Sequence, residues 1–142
     1  MRPTPWFRAL SGVLVFFTVG HTIGTAVPKP KRGPVEVTLF DAMKSYHFEV
    51  MGFTRSHYEF YQGFALSCSA LMLTLALLAW CTGTLARTHA QQAMPFALLS
   101  LFGSFGLLVS SVTFFFAVPI VTALVSTVLA AVGTWTLARA RS

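Results

Sequence analysis

Six side chains able to carry charge or a proton, Asp41, His47, Glu49, Arg55, His57 and Glu59, fall within 19 residues of one another, with Tyr46, Tyr58, Tyr61 and Gln62 interleaved. An imidazole beside a carboxylate is the usual general acid and base. On a helix, His57 and Tyr61 stand one turn apart, and Glu59 and Gln62 form the adjoining strip. His21 lies far upstream in a run without formal charge. An imidazole inside a membrane span is costly enough to be a functional candidate by default. The candidate centre is therefore His21, His57 and Glu59 in the catalytic positions, with Tyr46, His47, Arg55, Tyr61 and Gln62 around them as ligand-binding residues.

Each of these residues also has a plainer reading. His21 can be held by a threonine or backbone carbonyl of a neighbouring helix, with Gly20 and Gly24 permitting the approach. Glu59 stands three residues after Ser56, the spacing of a capping box. His57 falls at headgroup depth, where solvent reaches it; His47 suits an interfacial helix, and Arg55 suits lipid phosphate. Metal or haem ligation has little support, because the sequence holds no HxxxH, HExxH or ExxH pair. No metal is expected, and nothing in the residues names a cofactor.

The elements that must position these groups are helices in a bilayer. The 142 residues are 55% hydrophobic and only 10% charged, whereas soluble domains carry about a quarter charged residues. The net charge of +6 comes from scattered basic residues, which is not the clustered footprint of a nucleic-acid binder. Cys68 and Cys81 lie in one apolar run about 20 Å apart by helical rise, too far to bridge. Residues 9–27 carry no charge and are long enough to cross roughly 30 Å of hydrocarbon. A cleavable signal peptide ending near Gly24-Thr25-Ala26 is the rival reading of that run. A second span begins at the Ser56 cap and covers 57–80.

From Pro95 to Ala138 no residue is charged over 44 positions, about 66 Å as one helix, so the run must fold back on itself. Pro119 is the expected break, at the first position of a new helix, which gives spans over 93–117 and 119–138. The expected fold is all-α: one integral membrane domain over 1–142, a four-helix bundle with an interfacial helix in its long first loop. Small residues mark the seams: Gly20 and Gly24 in GxxxG spacing, then Ser100, Gly103, Ser104, Gly106, Ser110 and Ser111, then Thr122, Ser126, Ala130 and Gly133.

About thirty residues separate the first two spans, more than a bundle connection needs. Pro28, Pro30 and Pro34 predict a stiff exit. Thr38 with Asp41 predicts a cap, and Leu39, Met43, Tyr46 and Val50 predict one apolar face of a helix over 39–51 that ends at Gly52. Too short to span, this helix is expected at the membrane surface or folded over the bundle. Basic residues divide five and five between the two sides, but all four acids lie on the first-loop side, which favours cytoplasmic termini.

Gly20-His21-Thr22, Met43-Lys44-Ser45-Tyr46-His47-Phe48, Met51-Gly52 with Arg55-Ser56, and Phe60-Tyr61 with Gly63-Phe64 together resemble a family of small, uncharacterised bacterial four-helix inner-membrane proteins. In architecture the chain is similar to DoxX-like proteins. The resemblance covers the first half of the chain. It implies four helices, a bacterial inner-membrane address and these motif positions as the site, without a reaction.

Two functions fit the residues. In the first, a small amphipathic molecule, lipid-like or quinone-like, rests its polar head among His21, His57, Glu59, Tyr61 and Gln62 under the loop helix, with acid/base chemistry available. In the second, the protein is a non-catalytic accessory or structural subunit that uses its small-residue seams to bind a membrane partner or a second copy. A ligand-binding bundle should bury those seams, and an accessory subunit should expose them. The lipid bilayer is a partner in either case, and nucleic acid is not expected.

Overall fold

The computed structural model describes residues 3–27 and 32–140. Pro28 and Pro30 of the stiff exit lie outside the described residues. Helix α1 (Thr4–Ala26) is followed by α2 (Pro34–Ser45), a hairpin of β1 (His47–Val50) and β2 (Phe53–Ser56), and then α3 (His57–Leu85), α4 (Ala90–Phe114) and α5 (Ala117–Arg139). Helices α1, α3, α4 and α5 are each long and apolar enough to cross a membrane. The chain is a multi-pass membrane protein.

Two compact units divide the residues, one holding the chain up to Thr18 together with everything from Leu71 onward, the other holding Val19–Ala70. The first, the helical-core unit, is a four-helix bundle built on small residues. Phe7, Leu10 and Leu14 of α1 are fully buried against Ala76 and Ala79 of α3, Ala93 and Ala97 of α4, and Ala130 and Leu137 of α5. In lipid the apolar surface gains little by leaving its solvent, so close fit must hold helices together. Phe7 provides that fit: a Cβ at Gly83 would stand 3.1 Å from its Cβ, and a Cβ at Gly133 would stand 3.1 Å from its Cζ. A Cβ at Gly103 would come within 2.9 Å of Leu75 Cδ1. Hydroxyls add cross-links, with Thr127 donating to Ser104 O at 3.0 Å and Thr134 to Ala97 O at 3.3 Å.

The charge-free run breaks at Phe115 and Phe116, both extended, after Phe115 N–H closes α4 on Ser111 O. Pro119 is the third residue of α5 rather than its first. The first three residues of the helix lack an intrahelical partner for their N–H, so proline at the third costs no helix bond. The aromatic pair needs only two residues to reverse the chain.

The second unit, the first-loop unit, departs most from the sequence expectation. Its helix runs over Pro34–Ser45, not 39–51, starting at Gly33 (φ 146°) with Pro34 at the first position. Thr38 does not cap it but bonds back to Pro34 O at 3.0 Å. Residues 47–56 form an antiparallel hairpin in the register His47 to Ser56 and Val50 to Phe53. Gly52 ends no helix. With Met51 (φ 53°) it makes a two-residue turn with positive φ at both positions, the geometry whose twist matches paired strands. The strands put Phe48, Val50, Phe53 and Arg55 on one face and His47, Glu49, Thr54 and Ser56 on the other.

Candidate functional site

Ser56 ends β2 and caps α3. Its N–H donates to Glu59 Oε2 at 2.7 Å, its hydroxyl donates to the same oxygen at 3.0 Å, and Glu59 N–H donates back to Ser56 Oγ at 3.2 Å. The capping box expected from the spacing is formed, and it engages one oxygen of the Glu59 carboxylate twice.

One residue on, His57 is exposed and carries two ring contacts. Tyr46 stacks on it at 5.2 Å with an 11° interplanar angle, and Phe48 lies tilted at 5.1 Å. The aromatic contacts continue along α3 from Phe48 to Phe60 at 5.8 Å and from Phe60 to Phe64 at 4.8 Å, both edge-on. Such pairs contribute about 0.5–1.5 kcal/mol each beyond their buried area. Tyr58 is a second hub: Phe40 meets its ring edge at 6.2 Å, Lys44 Nζ stands 4.9 Å from its centroid, and Gln62 Nε2 donates to its hydroxyl at 2.8 Å. Helix α2 is therefore fastened to α3 through Phe40 and Lys44, although none of its residues is buried.

His47 Nδ1–H donates to Ser45 O at 2.9 Å, which holds its ring beside its own backbone. Arg55 donates to Thr54 O at 2.8 Å, with its guanidinium 5.8 Å from the Phe53 ring. Tyr61 is about half exposed.

His21 belongs to a different cluster. Its Nδ1 lies 3.0 Å from Ser69 Oγ, which also accepts from Thr22 Oγ1 at 2.9 Å and donates to Ala65 O at 3.2 Å. A hydroxyl has one proton, and Ser69 spends it on Ala65. With that proton on Ala65 O, the ring nitrogen is the donor to Ser69, and Nε2 is its second polar atom. Ser69 is 12 residues beyond His57 on the same helix, about 18 Å of rise. His21 is thus near neither His57 nor Glu59, and the candidate centre divides into a cap, an exposed aromatic cluster and an intramembrane hydroxyl–imidazole group.

Ser69, Thr22 and Tyr58 organise these groups; the resemblance placed Thr22 among its motif positions, but neither Ser69 nor Tyr58 had a site role in the sequence reading. Thr22 beside His21 was visible as a hydroxyl neighbour, but Ser69 is one of many serines on apolar helices and carries no local signal. Among the described residues no three His, Cys, Asp or Glu side chains form a group that could hold a metal. Cys68 and Cys81 are free thiols. Comparison with protein-family models, with curated proteins and with solved structures finds no match.

Proposed function

We propose that the protein is a non-catalytic accessory subunit of a membrane complex, sited in a bacterial inner membrane with both termini cytoplasmic, and that its first-loop unit receives the partner. The α4 and α5 seams are filled within the chain, with Ser100, Ser104, Ser111, Ser126 and Ala130 buried, so this reading is carried by the one seam left open, at Gly20 and Gly24. Gly83, Gly103 and Gly133 are filled by Phe7 and Leu75, whereas a Cβ at Gly20 or Gly24, as at Gly12 and Gly106 of the core unit, would meet nothing within 4 Å; of these open positions Gly20 and Gly24 stand in GxxxG spacing. Val19 and Ile23 beside them are at least half exposed. A GxxxG face left open by its own chain is the kind of surface on which a second transmembrane helix packs closely. The separation of His21 from His57 and Glu59 also argues against a shared catalytic centre.

The test is native mass spectrometry of gently solubilised protein, read for subunit number and co-purifying chains, with wild type beside Gly20→Leu/Gly24→Leu. A defined assembly lost in the variant supports the reading, and a wild-type monomer without partners overturns it.

A second reading, retention of a small amphipathic molecule such as a lipid-like or quinone-like compound, has one observation in its favour. His21 has a second ring nitrogen, Nε2, beyond its bond to Ser69, on an apolar helix where a polar headgroup would seek a partner. A discrete small-molecule mass that disappears in His21→Leu would support it.

A further inference from the structure

The charges of the two units differ in kind. All four acids, Glu36, Asp41, Glu49 and Glu59, and all three lysines belong to the first-loop unit; the helical-core unit carries only arginines, Arg2, Arg8, Arg87, Arg139 and Arg141, and no acidic side chain. Arg2 and Arg141 lie outside the described residues. The other three gather at one end of the core. Arg8 reaches α3, its Nη2 donating to Thr84 Oγ1 at 2.9 Å and its guanidinium lying 3.2 Å from the Trp80 ring centroid. Arg87 follows the end of α3, and Arg139 ends α5 with its guanidinium 3.9 Å over Trp135. An open cleft of about 370 Å³, lined by Thr88, His89, Gln91, Gln92 and Ala140, joins the α3–α4 loop to the end of α5.

Tryptophan marks the depth where hydrocarbon meets headgroups, and an arginine laid on its face holds a planar fork at that depth. Arg8 Nη1 is buried with no hydrogen-bond partner. An unsatisfied charged donor is costly, and this unit has no Asp or Glu side chain to answer it. We infer that this arginine end of the helical core binds the phosphates of anionic phospholipids, with Arg8 as the anchor, Arg87 and Arg139 as flanking charges and the polar cleft beside them accepting headgroup hydroxyls. Guanidinium suits the role because its fork matches two phosphate oxygens, where an ammonium presents a point charge. The inference stands on the core unit alone and is independent of what the first-loop unit receives.

The test uses the full chain in nanodiscs of equal parts phosphatidylcholine and phosphatidylglycerol, with the lipids retained after release counted by native mass spectrometry. Wild type should retain phosphatidylglycerol preferentially. Arg8→Gln with Arg87→Gln should lower that enrichment by about fivefold for each arginine removed, while Arg32→Gln with Lys44→Gln in the first-loop unit should leave it unchanged. Arg8→Lys should give a partial loss. Because the Arg8 variants can disturb helix packing, wild type is also titrated with salt: the enrichment should fall as ionic strength rises. Absence of a lipid preference, an equal fall in the first-loop pair, enrichment indifferent to salt, or release of the lipid by millimolar inorganic phosphate would each overturn the inference.

Discussion

The two units solve packing in opposite ways. The helical core buries large side chains in gaps made by small ones, with Phe7, Leu10, Leu14, Met72 and Leu137 at 2% exposure or less. In the first-loop unit the buried residues among those described are Ser56, Ala65 and Ser69, all small. Its large side chains lie outside: Val35, Met51, Phe53 and Phe64 are each more than 60% exposed. Apolarity alone does not separate a core from a face in a membrane protein; the presence of a cavity shaped to receive a ring does. The core is complete within the chain, and the first-loop unit is held by ring contacts and hydroxyl bonds that leave its apolar side open.

The largest test of this difference is Phe7→Ala. It empties the space between Gly83 and Gly133 and should cost roughly 3 kcal/mol, at the low end for a buried phenylalanine because lipid removes part of the transfer contribution; thermal unfolding in detergent measures it. Gly133→Leu attacks the same contact from the other side, and overpacking against Phe7 should cost about 1–3 kcal/mol. Gly20→Leu, chemically the same change in the other unit, should leave the melting temperature of the partner-free chain unchanged or raised, since glycine is a poor helix former and a Cβ has room there. Equal destabilisation by the two glycine variants would erase the distinction between the units.

Smaller effects sharpen the account of the first-loop unit. Ser56→Ala removes the cap of α3 and should cost about 1 kcal/mol, read by circular dichroism during denaturation. His21→Leu deletes a single interhelical bond to Ser69, worth about 0.6 kcal/mol on average in a bilayer. A loss several times larger would show that the His21, Thr22 and Ser69 hydroxyl–imidazole group acts as a cooperative network.

The four spans were legible in the sequence because an uncharged run of sufficient length has few alternatives in water or in lipid. The cap at Ser56 was legible because it depends on three-residue spacing alone. The hairpin was not: Leu39, Met43, Tyr46 and Val50 fit a helical face, each strand has only four residues, and Met51-Gly52 lacks the asparagine or aspartate that advertises a primed turn. The division of the candidate site escaped for a related reason. Sequence proximity grouped His57 with Glu59, and shared membrane side grouped both with His21, but depth along α3 separates Ser69 from His57 by more than three turns. Which glycines would be filled was also hidden, since GxxxG spacing marks Gly20 and Gly24, which stay open, while Gly83 stands in no such pattern.

Ser56 closes the hairpin register opposite His47 and, with the same residue, starts α3. Opening of the chain at Ser56 would release both its pairing with His47 and its bonds to Glu59, so the end of the hairpin and the start of the helix share one residue. Their amide protons are therefore expected to exchange with solvent deuterium at a common rate, making the extramembrane hairpin and the mouth of the second span one opening event rather than two.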